Sequence, residues 1–156
     1  FTDDWMRVGA EEAMHFVLLD RRLRAMDCFY GALPAHDGLW DSARNTAHDA
    51  SARLAIVPMV LEARGLDVTP ETVERFKRQG DDLTARVLNR IYQDEINHVF
   101  FGTKWFEFDC KKRGHSPHEH WRALVKSHFK GGLKAPFNDS ARRTAGLTRE
   151  YYSAIE

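Results

Sequence analysis

Gly9-Ala10-Glu11-Glu12-Ala13-Met14-His15-Phe16-Val17 and Tyr92-Gln93-Asp94-Glu95-Ile96-Asn97-His98-Val99-Phe100 are two versions of one pattern. Each reads acidic-Glu-x-x-His followed by two apolar residues. On a helix, residues i and i+3 project from one face, so Glu12 with His15 and Glu95 with His98 can each grip one metal ion. The flanking residues place both pairs on a core-facing seam. Trp5, Val8, Glu12, His15, Leu19 and Met26 form one stripe, and Leu88, Ile91, Glu95, His98, Gly102 and Trp105 form the other. An unpartnered carboxylate on such a seam costs several kcal/mol, which a shared metal cluster offsets. The alternative is two surface ion pairs at helical spacing, common for a single Glu-x-x-His, but two copies on core-facing stripes favour metal.

Working outward, the whole chain reads as helical. Thr2 is expected as the N-cap of a helix reaching about Cys28, with Asp3 and Asp4 suiting the positive end of its dipole. Gly31, Pro34 and Gly38 mark a connection. A second helix is expected from about Asp41 to Arg64, capped by Gly65 and kinked at Pro58. Thr69-Pro70-Glu71 reads as an N-cap with a proline at the first helical position of a short helix ending near Gly80. A long helix from Asp82 to Arg113 stops at Gly114. A short one around Pro117–Phe129 follows, and an irregular tail closes the chain with Gly131-Gly132, Pro136 and Asn138. No stretch alternates at period two long enough to build a sheet. The expected division is a helical bundle over residues 1–114 and a basic extension over 115–156 that packs on it.

Composition narrows the function classes. The 156 residues are 43% hydrophobic and 29% charged, values of a globular domain rather than a disordered one. No apolar run reaches the length that spans a bilayer. Two cysteines, Cys28 and Cys110, make no disulfide scaffold, so a reduced, cytoplasmic setting is the default. The net charge of zero conceals 13 Lys/Arg against 19 Asp/Glu in residues 1–110, and 10 against 4 in residues 111–156. The basic segment is read as wrapping onto the acidic body, since it holds no dense cluster for nucleic acid. His115, His118 and His120 read as a polar loop. Phe100, Phe101, Trp105, Phe106 and Phe108 read as packing on one core helix, and no phosphate loop, Ser/His/Asp arrangement or zinc-finger spacing occurs.

Four-helix di-metal proteins place a Glu-x-x-His on each of two helices and a single Glu on each of the other two. Glu62, His48 and Asp49 compete for the third helix; His48 and Glu62 are 14 residues apart, about 21 Å of helix, so both cannot reach one cluster. Glu11 and Asp94 are placed to accept a hydrogen bond from the far nitrogen of a ligand histidine, or else lie in solvent.

Asn45-Thr46-Ala47-His48-Asp49, Leu61-Glu62-Ala63-Arg64-Gly65-Leu66-Asp67, Asp94-Glu95-x-x-His98 and Pro136-Phe137-Asn138 with Ala141-Arg142 and Ala145-Gly146 resemble the ferritin-like family called domain of unknown function 455. The Glu-Ala-Arg and acidic-Glu-x-x-His elements are also similar to di-iron tRNA hydroxylases acting on 2-methylthio-isopentenyladenosine. That resemblance implies a ferritin-like four-helix bundle and two iron ions (manganese or a mixed Fe/Mn pair being the variants). It selects Glu62 and implies Glu12, His15, Glu62, Glu95 and His98 as ligands. It also implies a further ligand Glu on a helix preceding Phe1. The expected function is an oxygen-activating oxygenase or hydroxylase using dioxygen and an electron donor, on a small molecule or a modified tRNA base. The alternative is a ferritin-like store or metal buffer without an organic substrate. A monomer or homodimer is expected.

Overall fold

Helix-compatible periodicity and glycine or proline punctuation build eight α-helices and one π-helical segment in the computed structural model, which describes residues 1–155; no strand occurs among the described residues. The order is α1 (Thr2–Arg24), α2 (Gly38–Asn45), α3 (Ala50–Ile56), the π segment (Val57–Glu62), α4 (Ala63–Arg78), α5 (Asp82–Arg113), α6 (Pro117–His128), α7 (Asp139–Thr144) and α8 (Arg149–Tyr152). The all-helical expectation holds.

The 32-residue α5 is the spine, and its ends match the sequence reading. Asp81 accepts a hydrogen bond from the Thr84 amide at the start, and Gly114 takes a left-handed φ of 72° at the stop, a conformation that favours glycine. Helix α1 runs antiparallel to it. Asp4 accepts from Lys104 Nζ at 2.7 Å and Trp105 Nε1 at 3.0 Å. At the other end, Arg22 donates to Thr84 at 2.6 Å and Asp81 at 2.8 Å.

The middle of the chain departs from the sequence reading. Helix α2 ends at Asn45, and Asp49 restarts the backbone as N-cap of α3 by accepting from the Ser51 amide. Pro58 has no N–H to give and its ring collides with the carbonyl four residues back, which the backbone relieves by widening to a π turn over Val57–Glu62 rather than by a simple kink. Gly65 does not cap a helix; α4 runs through it and through Pro70 to Arg78, so the separate helix expected after Thr69 is the second half of α4. Apolar positions Ala63, Leu66 and Val73 keep burying one face across both residues, and that packing outweighs the local breaker preference. Thr2 is the first helical residue rather than the N-cap, α1 ends at Arg24 instead of Cys28, and the tail contains α7 and α8 where irregular chain was expected.

One apolar cluster joins these elements. Leu54, Ile56, Met59 and Leu66 from the central segments meet Val99 and Phe106 from α5, with Trp121, Leu147, Tyr151 and Tyr152 of the C-terminal segment. The C-terminal segment is anchored by a buried ion pair: Arg142 donates through Nε and Nη2 to the two Asp67 oxygens at 2.8 and 2.7 Å. Gly102 permits close approach of α5 to the π segment, because a Cβ there would sit 2.5 Å from Pro58 Cβ. Helix α1 is the exception to deep packing. Only Val8 and His15 are buried on it, while Met6, Phe16 and Leu19, and Met26 just past its end, are exposed. Leu19 and Met26 therefore do not continue the buried stripe, and on α5 Phe100 and Phe108 also face outward.

Candidate metal centre

Antiparallel pairing of α1 with α5 brings the two Glu-x-x-His motifs face to face, and the π segment delivers Glu62 beside them. Among the described residues, Glu12, Glu95 and His98 form the one group of three whose donor atoms lie within 4.8 Å of one another. The remaining pieces sit around them in a crosswise arrangement. His98 Nδ1 lies 3.1 Å from Glu12 Oε1 and 3.6 Å from Glu95 Oε2. His15 Nδ1 lies 3.6 Å from Glu12 Oε1 and 3.7 Å from Glu95 Oε1. One Glu95 oxygen thus faces each imidazole.

The far side of each ring is held by the opposite helix. His98 Nε2 is 2.9 Å from Glu11 Oε2, and His15 Nε2 is 3.1 Å from Asp94 Oδ2. A carboxylate there accepts a hydrogen bond from Nε2–H, so a ring that loses its second proton turns its Nδ1 lone pair toward Glu12 and Glu95. Glu11 and Asp94 are themselves braced by Arg7 at 2.9 Å and Arg90 at 2.9 Å. Burial opposes ionisation of both acids, yet these hydrogen bonds hold each below the usual carboxylate range.

The electrostatics are those of a cage lacking positive charge. Burial first, then repulsion from Glu95, raises Glu62 from 4.5 to about 8. Burial works to lower His98, but the adjacent carboxylates of Glu12, Glu95 and Glu11 outweigh it and lift the imidazole from 6.5 to about 10. Protons on these two groups balance the surrounding carboxylates in the metal-free chain. The adjacent His98 imidazole correspondingly holds Glu12 low.

The donor set fits metal ions. His15 Nδ1, His98 Nδ1, Glu62 Oε2 and Glu95 Oε2 are all sealed from water without a hydrogen-bond partner, although buried polar groups are ordinarily satisfied. Ligand atoms sharing one ion at roughly 2.0–2.2 Å lie roughly 3–4.4 Å apart, and the four imidazole–carboxylate separations above fall in that window. Carboxylate and imidazole together suit iron, manganese or zinc, whereas calcium and magnesium prefer oxygen alone.

All five residues named for ligation are brought to this region, as are Glu11 and Asp94. Glu12 is the most open, with its side chain 48% exposed, so the α1 stripe faces the core only in part. The competitors lie elsewhere: His48 packs against His128 with ring centroids 5.8 Å apart, and Asp49 caps α3. His115 and His120 pair at 4.5 Å beyond the end of α5. Sequence reasoning missed the π turn that aims Glu62; Pro58 four residues earlier was its trace in the sequence.

A family profile described as protein of unknown function (DUF455) matches residues 1–153. The chain belongs to this family. An uncharacterized protein of Haemophilus influenzae is 40% identical over 149 residues, covering 96% of this chain and 52% of the relative. The DUF455 chain here thus spans about half the length of that curated relative. No solved structure matches it.

Proposed function

We propose that this chain carries a ferritin-like, non-heme di-iron centre and serves an oxygen-activating oxygenase or hydroxylase. The observation that carries the reading is the set of four buried donor atoms without partners, on α1, the π segment and α5, converging on one region. Two bound iron ions would supply the redox chemistry toward dioxygen, with electrons from an external donor. Glu12, His15, Glu62, Glu95 and His98 would hold them, one Glu95 oxygen facing each imidazole. Glu11 and Asp94 keep the imidazole protons on Nε2, so both histidines present neutral nitrogen toward the ions. Glu62 and His98, both raised in the metal-free chain, would lose their protons on metal binding. Glu12, half exposed, lies on the less covered side of α1. The same side of α1 leaves Met6, Phe16 and Leu19 exposed, and a helix preceding Phe1 that covers it and adds a Glu would complete the set.

The test is oxygen consumption by reduced, iron-loaded protein. A catalytic centre takes up oxygen in one burst matched to its iron, then turns over only with reductant and substrate. Sustained oxidation of added ferrous iron, with iron accumulating far beyond the five-ligand site, would replace this reading with storage.

A further inference from the structure

On the far side of the π segment a second concavity is formed where the C-terminal segment crosses back over the bundle. It is a cavity of about 210 Å³ bordered by Val60, Leu61, Phe129, Leu133 and Phe137, with Arg64, Lys134 and Arg142 among its walls. None of the carboxylates or imidazoles of the metal centre lines it. Apolar surface dominates, and the polar side chains present are all cationic.

Arg142 is the unusual member. Its side chain is 2% exposed and lies against the contacting Phe137 and Tyr152 rings, its guanidinium carbon 4.8 Å from each ring centre. Nε and Nη2 are spent on Asp67, but Nη1 is sealed from water without a hydrogen-bond partner. A buried guanidinium N–H left without an acceptor is costly. Arg64 uses Nη1 on the Lys134 and Pro136 carbonyls at 2.8 and 3.2 Å, which fixes the crossing strap, and lies 3.5 Å from Asp67. Asp67 is thus one anion shared by two guanidiniums, and the exposed Lys134 adds a third cationic residue to the cavity's border. The balance around the cavity is positive by two charges.

We propose that this cavity is a binding site for a small aromatic carboxylate, its ring between Phe129, Leu133 and Phe137 and its carboxylate turned toward Arg64, Lys134 and Arg142. A cavity of roughly 150 Å³ accepts benzene, so about 210 Å³ accommodates one ring and a carboxylate-sized substituent. Guanidinium favours a planar two-oxygen anion, and burial among aromatic walls favours a ring over a bare inorganic ion. Because Val60 and Leu61 immediately precede Glu62 in the π segment, occupancy here bears on the wall behind the metal centre. The site itself stands independently of whether metal binds.

The probe is benzoate, with benzamide as its neutral counterpart and inorganic phosphate as the bare anion, titrated into the ¹⁵N-labelled full chain. Benzoate should saturably shift the amides of Gly131, Gly132, Leu133 and Lys134, with benzamide at least about tenfold weaker, the value of one charge-assisted hydrogen bond. Leu133→Trp should fill the cavity and abolish the benzoate response while the remaining spectrum stays dispersed. Arg64→Gln should weaken benzoate more than benzamide, since loss of the strap's hydrogen bonds touches both ligands and loss of the charge touches benzoate alone. The proposal is overturned if benzoate leaves these amides unshifted, or if benzamide or phosphate binds equally well. It is equally overturned if a folded Leu133→Trp protein binds benzoate as the parent does.

Discussion

Replacing Glu62 by glutamine should stabilise the metal-free protein, an unusual outcome for removing a buried functional group. In the folded chain the Glu62 carboxyl titrates at about 8 against an ordinary 4.5, chiefly from burial and secondarily from Glu95. A raised carboxylate favours folding only while both states are protonated. Its contribution is fully present below about pH 4.5 and is lost as pH rises toward 8. At pH 7 the gap is 2.5 pH units, which at 1.36 kcal/mol each is about 3 kcal/mol against the native state. Glutamine keeps the shape and carries no charge, so Glu62→Gln should recover about 3 kcal/mol at pH 7 and nothing at pH 4. For a chain of this size that corresponds to a rise of about 10 °C in Tm. Chemical denaturation of chelator-treated protein at the two pH values is the assay. Equal stabilities at pH 7, or a gain that is the same at pH 4, would refute the reasoning. The sign should reverse once iron is added, because the variant loses a ligand.

Metal binding at pH 7 should release about two protons, from Glu62 and His98, visible as a dependence of the calorimetric heat on buffer ionisation enthalpy. Release of none would mean that the cage is already deprotonated. Glu11→Gln and Asp94→Asn should leave the fold intact and weaken metal retention by about 10- to 100-fold in competition with a chelator, since each carboxylate orients one histidine. Unchanged retention in both would remove their positioning role. Gly102→Ala should destabilise the chain by about 1–3 kcal/mol, because the added methyl would sit 2.5 Å from Pro58 Cβ and the π segment must move. A Tm equal to the parent's would show that α5 and the π segment are looser than described. Asp67→Asn should cost about 3–5 kcal/mol by leaving the Arg142 guanidinium buried without its counter-charge, measured by urea denaturation.

What was legible in the sequence follows from which interactions are local. Two Glu-x-x-His motifs, Asp81 and Gly114 speak through spacing and backbone preference within one helix, so α5 and the pairing of acidic groups with histidines could be read directly. Gly65 and Pro70 misled because local breaker preference is a cost of a few kcal/mol at most, and α4 offsets it by burying Ala63, Leu66 and Val73. Whether Leu19 and Met26 are covered depends on what lies against α1, which periodicity on α1 cannot report. Pro58 marks a break in the helix, but the packing of the π segment against Gly102, 44 positions away, is non-local and is not reported by either residue alone. The Arg142–Asp67 pair is likewise non-local, and the tail that reads as irregular becomes helical because it is pinned there.

Metal content is the most direct test of the central claim. Protein produced with ample iron, freed of loosely bound ions and analysed by elemental mass spectrometry, should retain transition metal, about two ions once all ligands are in place. Glu95→Ala and His98→Ala should lose that metal while His115→Ala and His120→Ala keep it. Folded parent protein without bound metal, or loss of metal in the His115 and His120 variants but not in the Glu95 and His98 variants, would contradict the account.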